Sequence, residues 1–492
     1  MKKMQLVAML FFTSAFVFAS GNPEAASKPT SKSTLRVYMQ GYTPRAKLET
    51  ERIMPPQYLW QAEKEYEAAH PETDIEFIPE IRTGYEEWFL TQMAGGIAPD
   101  VVWYQRGYIQ RDYKKGWLAD LTPALEAKSP YSPSYAKWYD IFQPPVIESG
   151  RAPDGKIYML TGDIVGTGIF YNKTLFKKAG IAEEPKTWGE FIAAQKKLMA
   201  IGVIPFASSM DLVSGIRLYG SWFTRELQDV VYNDSMAKIK GAEVLRTWKP
   251  GEGIPSTKMV NAIAKGRYAA TDPQFKEMLR ILKDWSQYWP KGFWAIPNDN
   301  NQVFDMWIKG EAAMGWFGSW MTKSIINDPL RTFEWGVFTN VPKITKTDSV
   351  YGGSEFPAMA GVGGAFQYAV PEVTKKRGTY DAAVDWLKFV TNPPTLVKII
   401  NDQGGFAPGV KDTTGALPEI GVYTKMMEKF GTERIEPFDS MLTREFLDEY
   451  YVLLQLYLMG QNDLDKTANL IQAEMVKAAN QLLLENPDWK EK

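Results

Sequence analysis

Between Gly155 and Lys173 the chain runs through β-forming residues (Ile157, Tyr158, Ile164, Val165, Ile169, Phe170 and Tyr171), launched by the tight-turn pair Asp154–Gly155. Gly162, Gly166 and Gly168 interrupt what would otherwise read as one long strand, and a single carboxylate, Asp163, sits among them. Glycine inside a strand weakens it and marks a bend, a bulge or a close approach by another backbone or a ligand. Two readings follow from these residues alone. One is a bulged core strand; the other is a strand that crosses between two lobes and lines the cleft they form.

The chain has 492 residues, too many for one small core and suited to two or three domains. With 45% hydrophobic and 23% charged residues it is globular. A net charge of −2 offers no basic stripe for nucleic acid. The absence of Cys excludes thiol nucleophiles, disulfides and Cys-based zinc sites, and a single His, His70, excludes multi-His metal sites. His70 precedes Pro71 at an expected helix end and reads as a solvated residue there. A Ser-His-Asp triad could run only through it. No metal and no cofactor are expected. Aromatics make up 13% of the chain, including 17 Trp and 24 Tyr. Most belong in the core, and the surplus suits a ligand that is ring-shaped and polar.

The first residues read as an export signal. Met1–Lys3 is a basic start, Met4–Phe18 an apolar run of signal-peptide length, and Val17–Ala19 a small-x-small cleavage pattern. Residues 1–19 are therefore expected to be a signal peptide and 20–33 a flexible linker, giving a mature chain that is soluble and periplasmic or extracellular. No later stretch is apolar enough to span a membrane.

Thr34–Met39 alternates as a first strand, Tyr58–Tyr66 has helical spacing, Asp74–Ile78 alternates, Tyr85–Met93 is helical, and Pro99–Tyr104 reads as a short buried strand. This β-α-β-α-β order predicts an open α/β sheet whose ligand binds beyond the carboxyl ends of its strands, at Gln40 and the Trp103–Gln105 segment. Thr187 and Glu190 have capping-box spacing ahead of a helix, Ile201–Phe206 leads as a strand into a loop at Ser208–Asp211, and Ala312–Phe317 reads as a strand into Gly318–Trp320. Tyr380–Val390 is an amphipathic helix broken at Asn392–Pro394, with a second helix over Thr395–Asn401. The glycine-rich Gly352–Gly364 segment fails as a phosphate loop, because no Gly-Lys-Ser/Thr follows and no helix opens after it.

Taken together, Pro99–Trp103, Gly155–Tyr158 with Phe170–Lys173, Pro185–Trp188, Gly310–Met314 with Gly318–Trp320, and Ala382–Phe389 before Gly404–Phe406 resemble family 1 of the extracellular solute-binding proteins of ABC importers. This is the sugar-binding group that includes maltose-binding protein, and the resemblance covers nearly the whole mature chain. It implies an α/β, type II-like two-lobe fold of open sheets flanked by helices, with a ligand cleft at a hinge the chain crosses several times. The first lobe would span 34–162 plus 352–403 and the second 163–351 plus 404–492. It also implies a monomer that binds a carbohydrate without turnover and hands it to the permease of an ABC importer.

Family binding positions carry over to Gln40, Tyr104, Gln105, Asp163 in the hinge strand and Trp320, where the family commonly stacks a Trp on a sugar ring. Asp163 departs from the pattern, since the family often places its carboxylate at the position of Val165. Asp211, Trp222, Glu355, Phe356 and Phe406 are further candidates, and Phe446 stands where a second stacking aromatic can fall. Flat aromatics suit the C–H face of a sugar, and carboxylates and amides its hydroxyl rim. Two other readings remain open on the sequence: a secreted glycoside hydrolase or lyase working through Asp163 or Glu355, and the same binding fold serving a non-sugar solute.

Overall fold

The computed structural model describes residues 32–81, 84–152, 154–211, 227, 256–297, 300–338, 342–353, 364–405, 407–413 and 442–491. The first sheet takes strands β1 (Ser33–Tyr38), β2 (Thr73–Phe77), β3 (Val101–Trp103), β4 (Leu160–Thr161) and, from far along the chain, β10 (Gln367–Ala369), in the order β2-β1-β3-β10-β4. β1 pairs in parallel with β2 and β3, whereas β10 is antiparallel to β3 and β4. The carboxyl ends of β1, β3 and β4 therefore share one edge. A second sheet holds β6 (Thr167–Asn172), β7 (Ile204–Ala207), β8 (Ala312–Gly318) and β9 (Trp335–Val337), in the order β7-β8-β6-β9. Its β7 and β8 are parallel and β6 is antiparallel to both neighbours, so the ends of β7 and β8 meet the start of β6 at one edge.

Between the sheets, β5 (Asp163–Ile164) pairs antiparallel with β11 (Ala407–Pro408). The opening stretch is thus a buried strand that also passes from one sheet to the other. β6 and β8 are buried along their whole length and lie inside the second sheet, which is why they read as near-continuous apolar runs with no alternation.

The helices form where apolar spacing and caps agree. Tyr58–Ala69 buries Leu59, Ala62 and Tyr66 at helical intervals. Trp188–Ala200 carries the expected capping box, with Thr187 Oγ1 accepting from the Glu190 amide and Glu190 accepting from the Thr187 amide. Tyr380–Val390 forms over the expected residues. The following helix starts earlier than expected, at Pro393, and runs to Gln403. Its two prolines occupy the first turn, where a missing N–H goes unnoticed, so they open the second helix as well as separating it from the first. His70 also differs from its expected solvated role. It stacks on Tyr66 with ring centroids 4.3 Å apart, and its Nε2 lies 2.8 Å from the Tyr131 hydroxyl.

The apolar side chains gather mainly into two large clusters. One surrounds the first sheet, through Val37, Tyr104, Trp138, Phe366, Trp386 and Leu396; the other joins Phe191, Trp285, Met314, Tyr450 and Ile471 beside the second. Trp138, Trp307 and Trp386 are fully buried, each contributing roughly 3 kcal/mol of burial. Much of the aromatic surplus is thereby absorbed by core packing. Among the described residues, no helix is long and apolar enough to cross a membrane.

Candidate functional site

In open α/β sheets a ligand binds beyond the carboxyl ends of the strands, so residues just beyond β1, β3, β7 and β8 are the candidates to line a cleft. Gln40 follows β1, is half-buried, and has a φ of 50°, a left-handed backbone rare for a residue with a side chain. Its carbonyl accepts the Thr43 amide at 2.8 Å, closing a single turn just after β1. Gln105 follows β3 and is exposed. Across the hinge, half-buried Asp211 ends the Ser208–Asp211 loop after β7.

Trp320 follows β8 on the same side. Its ring folds back over Gly318, where any Cβ would collide with it, so the glycine makes room for the indole. Although it leaves the second sheet, Trp320 packs against the cluster around the first sheet. It therefore sits at the seam between the lobes.

Other candidates lie elsewhere. Tyr104 was expected at the rim, yet it is fully buried, with its ring 5.5 Å from Phe89 and its hydroxyl donating to Asp112 at 3.2 Å. Phe446 lies in the Arg444–Leu458 helix, buried in the second-sheet cluster and stacked on Tyr450. Trp222, Glu355, Phe356 and Phe406 lie outside the described residues.

Asp163 has no exposed surface. Its Oδ1 accepts the amides of Ala365 at 2.7 Å and Phe366 at 2.8 Å, and its Oδ2 accepts the hydroxyl of Tyr42. Burial pushes its carboxyl up to about 6, against the pull of the Tyr42, Phe366 and Ala365 donors. The close approach that Gly162 was expected to permit is made by protein. A Cβ there would stand 2.8 Å from the Phe366 ring, and one on Gly409 would stand 3.0 Å from the carbonyl of Gly162.

Two groups of residues near the hinge carry no local sequence signal. Arg52, in the connection between β1 and the first helix, reaches helices beside the second sheet, with Nη2 2.6 Å from Asp305 and Nε 2.8 Å from Asp328. Asp402 caps the Tyr58–Ala69 helix by accepting from the amides of Gln57 and Tyr58, while its backbone carbonyl accepts from Lys323. A cavity of about 420 Å³ opens away from these crossings, between the Trp188–Ala200 and Pro273–Ser286 helices, lined by Trp188, Lys196, Arg280 and Tyr288 among others. Among the described residues no group of His, Asp and Glu is arranged to hold a metal ion.

The model of the bacterial extracellular solute-binding protein family matches residues 61–419. The chain belongs to that family. Curated relatives include an uncharacterised ABC transporter extracellular-binding protein of Pyrococcus horikoshii, 24% identical over 54% of this chain and 54% of the relative. The multiple sugar-binding protein of Streptococcus mutans is 24% identical over 42% of this chain and 43% of its own length. The aligned part thus spans about half the length of these relatives.

Solved structures share the fold more completely. A chitin oligosaccharide binding protein superposes with a TM-score of 0.63 over 92% of this chain and 100% of that one, at 20% identity. RafE, an SBP of Streptococcus pneumoniae solved in complex with raffinose, gives 0.61 over 91% and 100%, at 18% identity. Both establish the two-lobe α/β architecture of this chain.

Proposed function

We propose that this protein is the extracytoplasmic substrate-binding component of an ABC importer, and that it takes a carbohydrate, an oligosaccharide or glycoside, into the cleft between its lobes. The observation that carries the reading is the pairing of two sheet edges across one hinge. Trp320 on one side supplies an aromatic face and Asp211, after the neighbouring strand, a carboxylate; Gln40 and Gln105 on the other supply amides. A flat ring and short polar groups on opposite walls are what a sugar's C–H face and hydroxyl rim require. The family and the oligosaccharide-binding proteins that share the fold support the same substrate class.

The lobes in this reading are 34–162 plus 352–403 and 163–351 plus 404–492, and the protein works as a monomer, exported by residues 1–19 and delivering its ligand to membrane permease subunits. At about 0.3 kcal/mol per heavy atom, a disaccharide of some two dozen heavy atoms binds with about 7 kcal/mol, a dissociation constant of order micromolar. Closure then needs only a modest preference of the ligand for the closed arrangement.

Among the relatives is the sn-glycerol-3-phosphate-binding periplasmic protein UgpB of Brucella abortus, 28% identical over 21% of this chain. A bound phosphate would call for cations in the cleft, whereas a neutral sugar would not. Calorimetry against mono- and oligosaccharides and glycerol 3-phosphate tests the choice. Saturable one-to-one binding of a sugar, weakened at least tenfold in Trp320→Ala, is expected; silence across every sugar ends the carbohydrate assignment.

A further inference from the structure

A buried carboxylate is costly unless its oxygens are fully engaged, so the partners of Asp163 indicate what it is for. They come from stretches far apart in the chain. Tyr42 lies 121 residues before it, beyond β1, and Ala365 and Phe366 lie 202 and 203 residues after it, where the chain enters β10. Its own backbone pairs with Pro408 of β11. The passages between the sheets therefore meet at one residue, the 365–366 stretch at its carboxylate and β11 at its backbone.

Backbone bonds knit the same point. The Gly162 amide donates to the Phe366 carbonyl at 2.9 Å, and the Gly409 amide donates to the Gly162 carbonyl at 2.8 Å. An aromatic collar shields it, with Tyr42 edge-on to Phe366 at 5.3 Å and Phe366 edge-on to Tyr368 at 4.5 Å. Three protein donors hold the carboxylate, and none of its surface is open to solvent.

We propose that Asp163 is a positioning residue of the hinge, a pin that fixes the three passages relative to one another so that the lobes turn about a defined point, and not a ligand contact. The pin works through charge-assisted bonds to the Ala365 and Phe366 amides, which no other described side chain accepts. Replacing the carboxylate by an amide keeps its shape but removes the charge that strengthens these bonds.

The test is hydrogen-exchange mass spectrometry on the full mature chain without ligand, so it does not depend on which solute is bound. In Asp163→Asn, exchange in peptides covering 162–168, 364–367 and 407–410 is expected to accelerate about tenfold, while peptides over β3 and β8 keep wild-type protection. Tyr42→Phe, which removes one arm only, should accelerate the same peptides by a smaller factor, and carries the comparison should the Asn variant fail to fold. Wild-type exchange at 364–367, or a uniform acceleration across both lobes, overturns the proposal. The first result would leave the passages held without Asp163, and the second would make it an ordinary core group.

Discussion

Arg52→Gln should loosen the lobes in the ligand-free protein. The guanidinium reaches from the β1 side of the molecule to two carboxylates beside the second sheet, Asp305 at 2.6 Å and Asp328 at 2.8 Å. The two arms differ in environment. Asp305 keeps 24% of its side-chain surface, and Arg52 itself 35%, so that arm is screened by solvent and contributes about 0.5 kcal/mol. Asp328 has none exposed, and its other oxygen accepts the Leu330 amide at 2.9 Å. Leaving that carboxylate without its cation costs roughly 1.5 kcal/mol, between an exposed pair and an orphaned buried charge, because the guanidinium is partly solvated and the amide remains. The sum, about 2 kcal/mol, is roughly a thirtyfold shift in the balance between lobe arrangements. Titration behaviour agrees in direction. Arg52 is held above its ordinary value, chiefly by its bond to Asp305; the Asp305 carboxyl lies below its own because the bonds from Arg52 and Lys309 outweigh its burial.

Small-angle X-ray scattering of the free protein reads the shift as a larger radius of gyration in Arg52→Gln. Raising salt from about 0.05 to 0.5 M shortens the screening length from about 14 to about 4 Å, and should move the wild type only part of the way, since the Asp328 arm is buried. Asp328→Asn, which keeps the Asp305 arm, should move the scattering only part of the way, and the double variant should go no further than Arg52→Gln. Superimposable scattering of Arg52→Gln and wild type at both salt concentrations, or additive effects of the two substitutions, refutes the clasp.

Asp163 should leave a signature in stability against pH. Its carboxyl is raised from 3.8 to about 6, so between those values the folded chain holds more protons than the unfolded one and stability falls as pH rises. The difference corresponds to about 3 kcal/mol, present below pH about 4 and lost above about 6, and Asp163→Asn should remove it from denaturation curves taken across that window. The facing phenols of Tyr42 and Tyr368 are both pushed well above their ordinary values by burial, so they stay neutral throughout. An unchanged slope in the variant would assign the titration to another group. Gly162→Ala, whose Cβ would meet the Phe366 ring at 2.8 Å and Leu396 at 3.3 Å, should cost about 2 kcal/mol of thermal stability. Thr187→Ala removes one half of a capping box and should cost about 1 kcal/mol, with ligand affinity unchanged because the cap lies away from the hinge.

What could be read from the residues was what is local. The capping box at Thr187 and Glu190, the Tyr380–Val390 helix and the β8 strand each carry their signal within a dozen residues, and each formed where expected. The family, too, was legible, because its short motifs keep order along the chain. The role of Tyr104 was not. Both faces of the first sheet are covered, so the residue after Trp103 is enclosed like its neighbours, and the first outward position is Gln105. Asp163 illustrates the same limit from the other direction. Its neighbours in sequence made it a plausible hydroxyl binder, and its neighbours in space, drawn from both distant flanks, enclose it. Trp320 and Gln40 could be nominated from their places after strands; that one leans on the cluster around the first sheet and the other adopts a left-handed backbone is a product of tertiary contacts.

The position of β10 within the first sheet bears on when this protein can fold. β10 separates β3 from β4, and Trp103 donates its indole N–H to Ala365, 262 residues later. The first sheet therefore has a gap between β3 and β4 until the chain past Ala369 is in place, and its covering helices Tyr380–Val390 and Pro393–Gln403 come later still. Closing so long a loop before its contacts are made slows folding. A nascent or newly translocated chain would thus remain incompletely folded until more than three quarters of it has emerged. For a protein proposed to cross a membrane before it works, that delay keeps the chain threadable.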